Sequence, residues 1–441
     1  AVLGLVLVER FASAALIFDG GFSVDVAEQV LPLQPPMRLD GQMSYLSGHS
    51  ARVDPRRAGA PLPPVSGLRE IDPSSVRFTR KPDVLLVLIE SLRADFLDPE
   101  TMPRLWTRAR HGAVFERHYA AATSTAHSMF GLLYGLNSYK YQAVLGSGRS
   151  PLLLGALQAN GYRSHFIAAS AVKWIESGSS PVFRNTPGQL ESDLVGDGES
   201  RDADMLARAR RFMTTGGAQP QFLFLFFVGT HFRYSFPPRS ARFQPYWDGG
   251  GPPRDPARVR ARARNAAYEV DWKLDDFLDE YAAARGRKPL VIVTGDHGES
   301  LGEGGRFGHG SDVSEAQIHV PMVLLDPSGP PSTWGGVTSH IDIVPTLLAL
   351  LGDDHPPRSY ADGVSMLAPP ADRYVLTTVG WEPRHGLVGR DLKATFFGGD
   401  AGLLGVALTD PADRSLPDGN ARLRAEAARI ARTFRDSQAG R

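Results

Sequence analysis

Unbroken runs of apolar residues recur along the middle of the chain, separated by stretches that mix polar and apolar positions. Such a run is typical of a strand that is buried on both faces of a sheet, because none of its side chains has to face water. The runs predict strands at residues 83–89, 163–169, 221–228, 290–294 and 320–325.

The stretches between these runs carry apolar residues at helical spacing. They predict helices at residues 103–111, 126–136, 151–160, 202–213 and 257–284. Strands that alternate with helices predict an α/β fold, with a mostly parallel central sheet and helices on both faces. Towards the end of the chain the segments shorten. There we expect a small C-terminal antiparallel subdomain, with strands within 374–379 and 386–397 and a final helix at 421–435.

The start of the chain differs from this domain. Residues 1–18 are mostly apolar but include Glu9 and Arg10, and the segment is slightly shorter than a membrane span of about 20 residues. It could be the end of a membrane helix, an interfacial helix or a buried helix, and we favour the first two. Residues 19–80 contain many prolines and predict a linker. Residues 81–370 then form the main domain, and residues 371–441 form its antiparallel part.

Composition excludes several kinds of chemistry. The 441 residues include 48 acidic and 48 basic side chains, so the charge does not indicate a nucleic-acid partner. The chain has no cysteine, which excludes disulfides, thiolate metal ligands and thiol nucleophiles.

Polar residues directly after the predicted strands are the candidates for a site, because the site of a parallel sheet lies beyond the carboxyl ends of its strands. Glu90 follows the first run, where its carboxylate could bind a cation or serve the dipole of the following helix. Asp296 and His297 follow the run at 290–294, where they could offer an oxygen and a nitrogen to one cation. Their flanking glycines allow the tight backbone that such crowding needs.

A third candidate is the segment 122–128, Ala-Thr-Ser-Thr-Ala-His-Ser, which leads into a predicted helix. A hydroxyl at a helix N-terminus is well placed to attack phosphorus, because free N–H groups of the first turn stabilise phosphate oxygens. A bound metal would also lower the pKa of that hydroxyl. Serine and threonine are preferred helix caps, so spacing alone favours capping. Together with the two metal motifs, the segment predicts a nucleophile.

Two histidines follow predicted strand ends. His231 comes shortly after the run at 221–228, and His309 comes twelve residues after His297. Each could protonate a leaving oxygen, bind phosphate or hold a second cation. A lone histidine is more often structural, but both lie where the sheet predicts a site.

These motifs together resemble the alkaline phosphatase/sulfatase superfamily over roughly residues 80–435. The likeness is nearest to its membrane-anchored lipid head-group transferases, which transfer phosphoethanolamine or phosphoglycerol. Residues 90–95 resemble their Glu-x-x-Arg-Ala-Asp motif, and residues 296–303 resemble their Asp-His-Gly-Glu-Ser-Leu-Gly-Glu motif. Their Thr-Ser-Thr-Ala-x-Ser motif places the nucleophile at Thr125. Their downstream His-Gly and Gly-x-His motifs fall on His309 and His231.

The resemblance implies one divalent metal. Its ligands would be Glu90, Thr125, Asp296 and His297, and this mixed oxygen and nitrogen set suits Zn²⁺, with Mn²⁺ as the alternative. The implied reaction is phosphoryl transfer from a phosphodiester, such as a phospholipid head group, through a phospho-threonine intermediate. Transfer to water would make the enzyme a hydrolase. The implied location is the inner membrane, with the catalytic domain in the periplasm or outside the cell.

A second likeness implies a different function. The stretch 102–136 resembles inner-membrane sulfatase-like proteins that sense lipopolysaccharide and regulate its synthesis, some of which act by binding alone. The intact Glu90 and Asp-His pair favour retained chemistry. A sulfatase-type ester hydrolase is a further alternative, but the segment 122–128 lacks the Pro and Arg of the sulfatase nucleophile motif, which argues against formylglycine chemistry.

Overall fold

The computed structural model describes residues 71–170, 190–192, 194–380, 384–399, 402–419, 421–426 and 429–430. These residues belong to one compact unit, Val65–Arg441. The apolar segment 1–18 and most of the predicted linker lie outside the described residues. Within the described ranges, no helix is both long enough and apolar enough to cross a membrane.

The strands and helices are numbered here in chain order. The strands are β1 (Val84–Ile89), β2 (Ala113–Tyr119), β3 (Arg163–Ala168), β4 (Leu190–Glu191), β5 (Gln221–Phe227), β6 (Leu290–Gly295), β7 (Ser300–Leu301), β8 (Phe307–Gly308), β9 (His319–Val320), β10 (Met322–Leu325), β11 (Ser332–Ser339), β12 (Val375–Thr378), β13 (Arg384–Val388), β14 (Lys393–Gly399) and β15 (Gly402–Thr409). The helices are α1 (Pro103–Ala109), α2 (Thr125–Tyr134), α3 (Tyr141–Ser147), α4 (Leu152–Ala159), α5 (Gly198–Met213), α6 (Pro256–Arg285), α7 (Glu315–Ile318) and α8 (Ile343–Leu350).

The central sheet has the strand order β11-β2-β10-β6-β1-β5-β3-β4, and β9 pairs with β2. Strand β1 lies between β5 and β6 and runs parallel to both. Strand β10 is antiparallel to both of its neighbours. The prediction of a mostly parallel central sheet is therefore confirmed, with β10 reversed inside it and the short β9 antiparallel to β2.

Three strands of this sheet were not predicted, namely the two-residue β4 and the longer β2 and β11. Strands β2 and β11 pair in parallel at one edge of the sheet, and their first residues are exposed or half-buried. They therefore lack the unbroken apolar run that marks a central strand. The predicted strand at 320–325 divides at Pro321 into β9 and β10, because proline has no N–H group to donate to a sheet.

Helices cover both faces of the sheet, as predicted. Alternate residues of β1 point to opposite faces. Leu86 and Leu88 pack in a core with α2, α4 and α8, whereas Leu85 and Val87 pack in a second core with α1, α5 and α6.

A second sheet lies near the C-terminus, with the order β12-β13-β14-β15 and antiparallel pairing throughout. This confirms the predicted antiparallel subdomain. The predicted segment 386–397 proves to hold parts of two strands, because the chain reverses where the N–H of Gly389 donates to the carbonyl of Leu392. Residues 421–426 and 429–430 are helical, and the rest of the predicted helix lies outside the described residues.

The end of the predicted linker packs on the domain. Val76 and Phe78 are buried in the core that contains α2 and α4. The side chain of Asn160 accepts the N–H of Phe78 at 2.9 Å and donates to the carbonyl of Val76 at 3.0 Å. The folded domain therefore includes these residues before Lys81.

Candidate active site

The residues that the sequence singled out lie together at the carboxyl end of the parallel strands of the central sheet. Strands β1, β5, β6 and β2 run in the same direction, since β2 and β6 are each antiparallel to β10. Their carboxyl ends lead to Glu90, His231, Asp296 and Thr125 respectively. Four segments that are far apart in sequence thus reach a common edge, as expected for an α/β sheet.

Glu90, Thr125 and His297 come into direct contact there. The Thr125 hydroxyl lies 3.4 Å from Glu90 Oε1 and 3.4 Å from His297 Nε2. His297 Nε2 is also 3.5 Å from Glu90 Oε1 and 3.2 Å from Asp296 Oδ2. The four predicted metal ligands therefore point their polar atoms into one small space.

The two oxygens of Asp296 have different surroundings. Oδ1 accepts the N–H of Ser91 and the N–H of His297, each at 2.8 Å. Oδ2 is buried and accepts no hydrogen bond from the described part of the chain. Ser91 has φ 56°, a conformation that is uncommon for a residue other than glycine, and its hydrogen bond to Asp296 helps to hold it. The free oxygen is an acceptor that a cation would satisfy.

The backbone also fixes the orientation of His297. Its Nδ1–H donates to the carbonyl of Gly298 at 2.9 Å, which leaves the lone pair of Nε2 facing Glu90 and Thr125. This is the arrangement in which a metal-binding histidine uses one ring nitrogen for the metal and the other for a backbone carbonyl. Gly295 is required beside this loop, because a Cβ at that position would collide with the carbonyl of Leu92.

The electrostatics of these groups fit a cation. Burial, together with the charges of Asp296 and Glu299, raises the pKa of Glu90 well above its usual range. Burial also raises the pKa of Asp296 to about 6 and lowers the pKa of His297 well below its ordinary value. Carboxylates and a neutral imidazole that share a buried space are stabilised by a divalent ion, and the ligand types suit zinc or manganese.

His309 lies beside this cluster. Its ring centroid is 4.2 Å from that of His297, and potential ligand atoms of Glu90, His297 and His309 lie within 4.8 Å of one another. Its Nδ1–H donates to Glu299 at 3.1 Å. Burial lowers the pKa of His309, but the hydrogen bond and the charge of Glu299 outweigh burial, so this pKa lies above its ordinary value.

Glu299 is a candidate site residue that sequence reasoning missed. It is buried, and it accepts the Tyr234 hydroxyl at 2.6 Å as well as the His309 ring. It belongs to the same motif as Asp296, so its position in that motif was the available signal. Its role as a bridge became visible only when three distant segments were brought together.

His231 lies at the exposed rim of the site. Its ring centroid is 5.7 Å from that of His309. The loop that carries it starts at Val228 and Gly229, whose N–H groups donate to the buried Asp202 at 2.8 and 2.9 Å. His231 is therefore near the cluster but does not enter it.

Thr125 does not serve as a helix cap. It is the first residue of α2, and the capping position belongs to Ser124, whose side chain makes no capping hydrogen bond. The Ser124 hydroxyl instead lies 3.0 Å from His127 Nδ1. The Thr125 hydroxyl is thus left to face Glu90 and His297, at the end of a helix that favours anions.

Known proteins share this architecture. A sulfatase family model matches residues 82–353. The chain is 24% identical over 295 residues to inner membrane protein YejM of Salmonella typhi. This alignment covers 65% of this chain and 45% of that protein. It is 23% identical over 346 residues to the phosphatidylethanolamine transferase Mcr-2 of Escherichia coli. That alignment covers 69% of this chain and 60% of the transferase.

A solved structure agrees with this relationship at the level of the fold. The phosphonate monoester hydrolase of Agrobacterium radiobacter superimposes with a TM-score of 0.62 at 16% identity, covering 81% of this chain and 95% of that one. The match to YejM spans less than half of that protein's length. Because the family model covers more than half of its residues, the chain belongs to the sulfatase family.

Proposed function

We propose that this protein is a metal-dependent phosphoryl-group transferase or hydrolase that acts on phosphodiesters, with phospholipid head groups as the preferred substrate. One observation carries the proposal. The Thr125 hydroxyl lies at the N-terminus of α2, 3.4 Å from both Glu90 Oε1 and His297 Nε2. A hydroxyl between candidate metal ligands at the N-terminus of a helix is suited to attack phosphorus, and the helix end favours its oxygens.

Glu90, Thr125, Asp296 and His297 would hold the metal. When bound, the metal supplies a positive charge that lowers the pKa of a hydroxyl and neutralises charge on phosphate oxygens. The unpartnered Asp296 Oδ2 and the lone pair of His297 Nε2 support this assignment. Zinc is our first choice and manganese our second.

The chain's own residues can carry the two steps. In the first, a bond forms between Thr125 Oγ1 and phosphorus, the bond from phosphorus to the first alcohol breaks, and Glu90 accepts the threonine proton. His309 donates a proton to the leaving oxygen, which its raised pKa favours. In the second step, water or an acceptor alcohol attacks the phosphorus of the phospho-threonine, and His309 takes up its proton. The bond from phosphorus to Thr125 Oγ1 breaks, and Glu90 returns the proton to Thr125. His231, at the rim, would bind the incoming or departing group.

The proposed setting is a membrane surface. One relative is named a phosphatidylethanolamine transferase and another an inner membrane protein. We therefore propose phosphatidylethanolamine as the first donor to test and the inner membrane, with the domain in the periplasm or outside the cell, as the location. Residues 1–18 would be the membrane-proximal segment.

The test is intact-mass and metal analysis after incubation of the protein with Zn²⁺ and phosphatidylethanolamine vesicles. Wild type should bind metal and gain the mass of phosphoethanolamine, and Thr125→Ala should gain none. Thr123→Ala is the matched control, because it removes a buried threonine hydroxyl of the same segment that has no partner among the described residues. This control should keep the adduct.

Other outcomes would support the rival functions. Vesicle binding with neither bound metal nor adduct would favour a non-catalytic lipid-binding regulator. Turnover of a sulfate ester in preference to phosphodiesters would favour a sulfatase-type ester hydrolase. An adduct that survives in Thr125→Ala would refute the assignment of the nucleophile.

A further inference from the structure

A buried serine links the helix of Thr125 to the loop of Asp296. Ser128 lies one turn after Thr125 on α2 and is fully buried. Its hydroxyl donates to the backbone carbonyl of Asp296, and the same oxygen lies 2.9 Å from His340 Nδ1. The contact joins the candidate nucleophile's helix to the candidate metal ligands without involving their side chains.

The positions of the hydrogens follow from the partners. A carbonyl oxygen cannot donate, so the proton between Ser128 Oγ and the Asp296 carbonyl must come from Ser128. The hydroxyl has only one proton, so a hydrogen bond between His340 Nδ1 and Ser128 Oγ then requires the proton of His340. The N–H of Ala121 also points at this ring nitrogen, at 3.4 Å, and would suit an unprotonated Nδ1. The contact of Nδ1 with Ser128 Oγ is shorter, at 2.9 Å, so we assign the proton from that contact.

His340 is built into this position by the fold. It follows β11 directly, is fully buried, and its Nε2 has no hydrogen-bond partner in the described part of the chain. Burial lowers the pKa of His340 to about 3, so its ring is neutral at physiological pH and carries one proton. That proton is needed at Nδ1, although a neutral histidine could place it on either nitrogen.

We infer that Ser128 and His340 are positioning residues for the proposed reaction. The chain of hydrogen bonds runs from His340 Nδ1–H to Ser128 Oγ–H and on to the Asp296 carbonyl. It fixes the first turn of α2 against the loop after β6, and so sets the distance from Thr125 to His297. The structural link stands by itself, and its kinetic consequence depends on the proposed function.

Histidine ¹⁵N NMR of the metal-free protein tests the link without any activity. The His340 signals are assigned by their loss in His340→Asn. Wild type should show a protonated Nδ1, and Ser128→Ala should move the proton to Nε2 or leave the two tautomers mixed. An unprotonated Nδ1 in wild type would overturn the inference, whatever the protein catalyses.

Kinetics test the consequence. With Zn²⁺ and phosphatidylethanolamine vesicles, Ser128→Ala and His340→Asn should each slow phosphorylation of Thr125 by about tenfold or more, because small misplacements of reacting groups are costly. The apparent KM should change by less than about twofold, since both side chains are fully buried. The double variant should be no slower than the slower single variant, because both changes break one chain.

Ser138→Ala separates positioning from general loss of packing. Ser138 is also buried, and its hydroxyl donates to the carbonyl of His127 on the same helix at 2.8 Å. This hydrogen bond does not involve the loop of Asp296. This variant should lose similar stability but keep the phosphorylation rate within about twofold.

The outcomes of the two tests can be told apart. Equal slowing by Ser138→Ala and Ser128→Ala, or strictly additive effects of Ser128→Ala and His340→Asn, would refute positioning. If wild type never forms the adduct, the proposed function fails. The inference is then judged by the NMR result and by Co²⁺ absorption, which should differ between wild type and Ser128→Ala if Ser128 shapes the site.

Discussion

At the scale of single residues, Asp296 is a proposed metal ligand whose surroundings do not favour stability. One of its oxygens accepts two backbone N–H groups, and the other is buried without a partner among the described residues. Its pKa is raised to about 6, mainly by burial. A buried charge that lacks a full set of partners destabilises a fold and is a mark of functional sites.

Asp296→Asn should therefore remove the response to metal without unfolding the protein. Asparagine keeps an oxygen for the two backbone N–H groups but loses the negative charge. We expect the metal-free variant to melt at or above the wild-type temperature, whereas Zn²⁺ raises the melting temperature of wild type alone. Differential scanning calorimetry with and without Zn²⁺ measures both.

Asp202→Asn provides the control for this experiment. Asp202 is also buried and also accepts two backbone N–H groups, from Val228 and Gly229, but it lies outside the ligand cluster. Its variant should keep the thermal shift with Zn²⁺. A Zn²⁺ shift that persists in Asp296→Asn would remove Asp296 from the ligand set.

At the scale of elements, the two ends of β1 carry buried acidic residues with different proposed roles. Glu90 follows its carboxyl end, and the buried Asp83 precedes its amino end. Asp83 accepts the N–H of Gln221 at 2.9 Å, Arg285 Nε at 2.9 Å and Arg287 Nη2 at 2.6 Å. Asp83 thus joins the amino end of β1 to the start of β5 and the end of α6, on the side of the sheet opposite the candidate site.

Asp83→Ala should destabilise the fold by about 3 kcal/mol, because it leaves two guanidinium groups without their buried carboxylate. Zinc binding to the folded variant should be unchanged, since the whole length of β1 lies between Asp83 and Glu90. Urea unfolding measures the first expectation and isothermal titration calorimetry the second.

Asp418→Ala is the comparison for an exposed ion pair. Its partner Arg422 lies one helical turn on at 2.9 Å, with both side chains about half exposed. Solvent screens such an exposed pair, so Asp418→Ala should change the free energy of unfolding little. A loss in Asp83→Ala as small as this would show that the buried network is not the anchor inferred here.

At the scale of the whole molecule, buried histidines and buried carboxyl groups change the stability with pH in opposite directions. Burial lowers the pKa of His127 to about 4 and raises the pKa of Asp202 to about 7. A buried histidine that stays neutral favours the folded state at high pH. A buried carboxyl that stays protonated favours the folded state at low pH.

His127→Gln tests the histidine effect. The unfolded chain binds a proton at His127 below about pH 6.5 while the folded chain does not, so this group's contribution is complete above pH 6.5 and declines towards pH 4. The slope approaches about 1.4 kcal/mol per pH unit. The stability lost on mutation should therefore shrink between pH 7 and pH 5, as measured by urea unfolding.

Asp202→Asn should show the opposite dependence. The folded chain keeps a proton on Asp202 up to about pH 7, but the unfolded chain releases it near pH 4, so wild type loses stability between these values. The free energy of unfolding of the variant should therefore rise relative to that of wild type as the pH increases from 5 to 7. Parallel pH curves for wild type and either variant would contradict the corresponding pKa shift.

Local sequence was sufficient for the central strands and for the first elements of the site. A strand buried on both faces must be apolar throughout, so residues 84–89 and 290–295 were recognisable. The site of a parallel sheet lies beyond the carboxyl ends of its strands, so Glu90 and the Asp296–His297 pair, which come directly after such strands, could be identified as candidates. Strands β2 and β11 begin with exposed or half-buried residues, and their polar positions concealed them.

Only the tertiary structure decided how these parts meet. The bond from Ser128 to Asp296 spans 168 residues and the contact of Ser128 with His340 spans 212, so no local pattern could indicate either. The bridge from Tyr234 through Glu299 to His309 likewise joins separate loops. The sequence determined which residues have the chemistry, because composition and strand position are local. The fold decided which of their atoms face one another, because that depends on packing between distant segments.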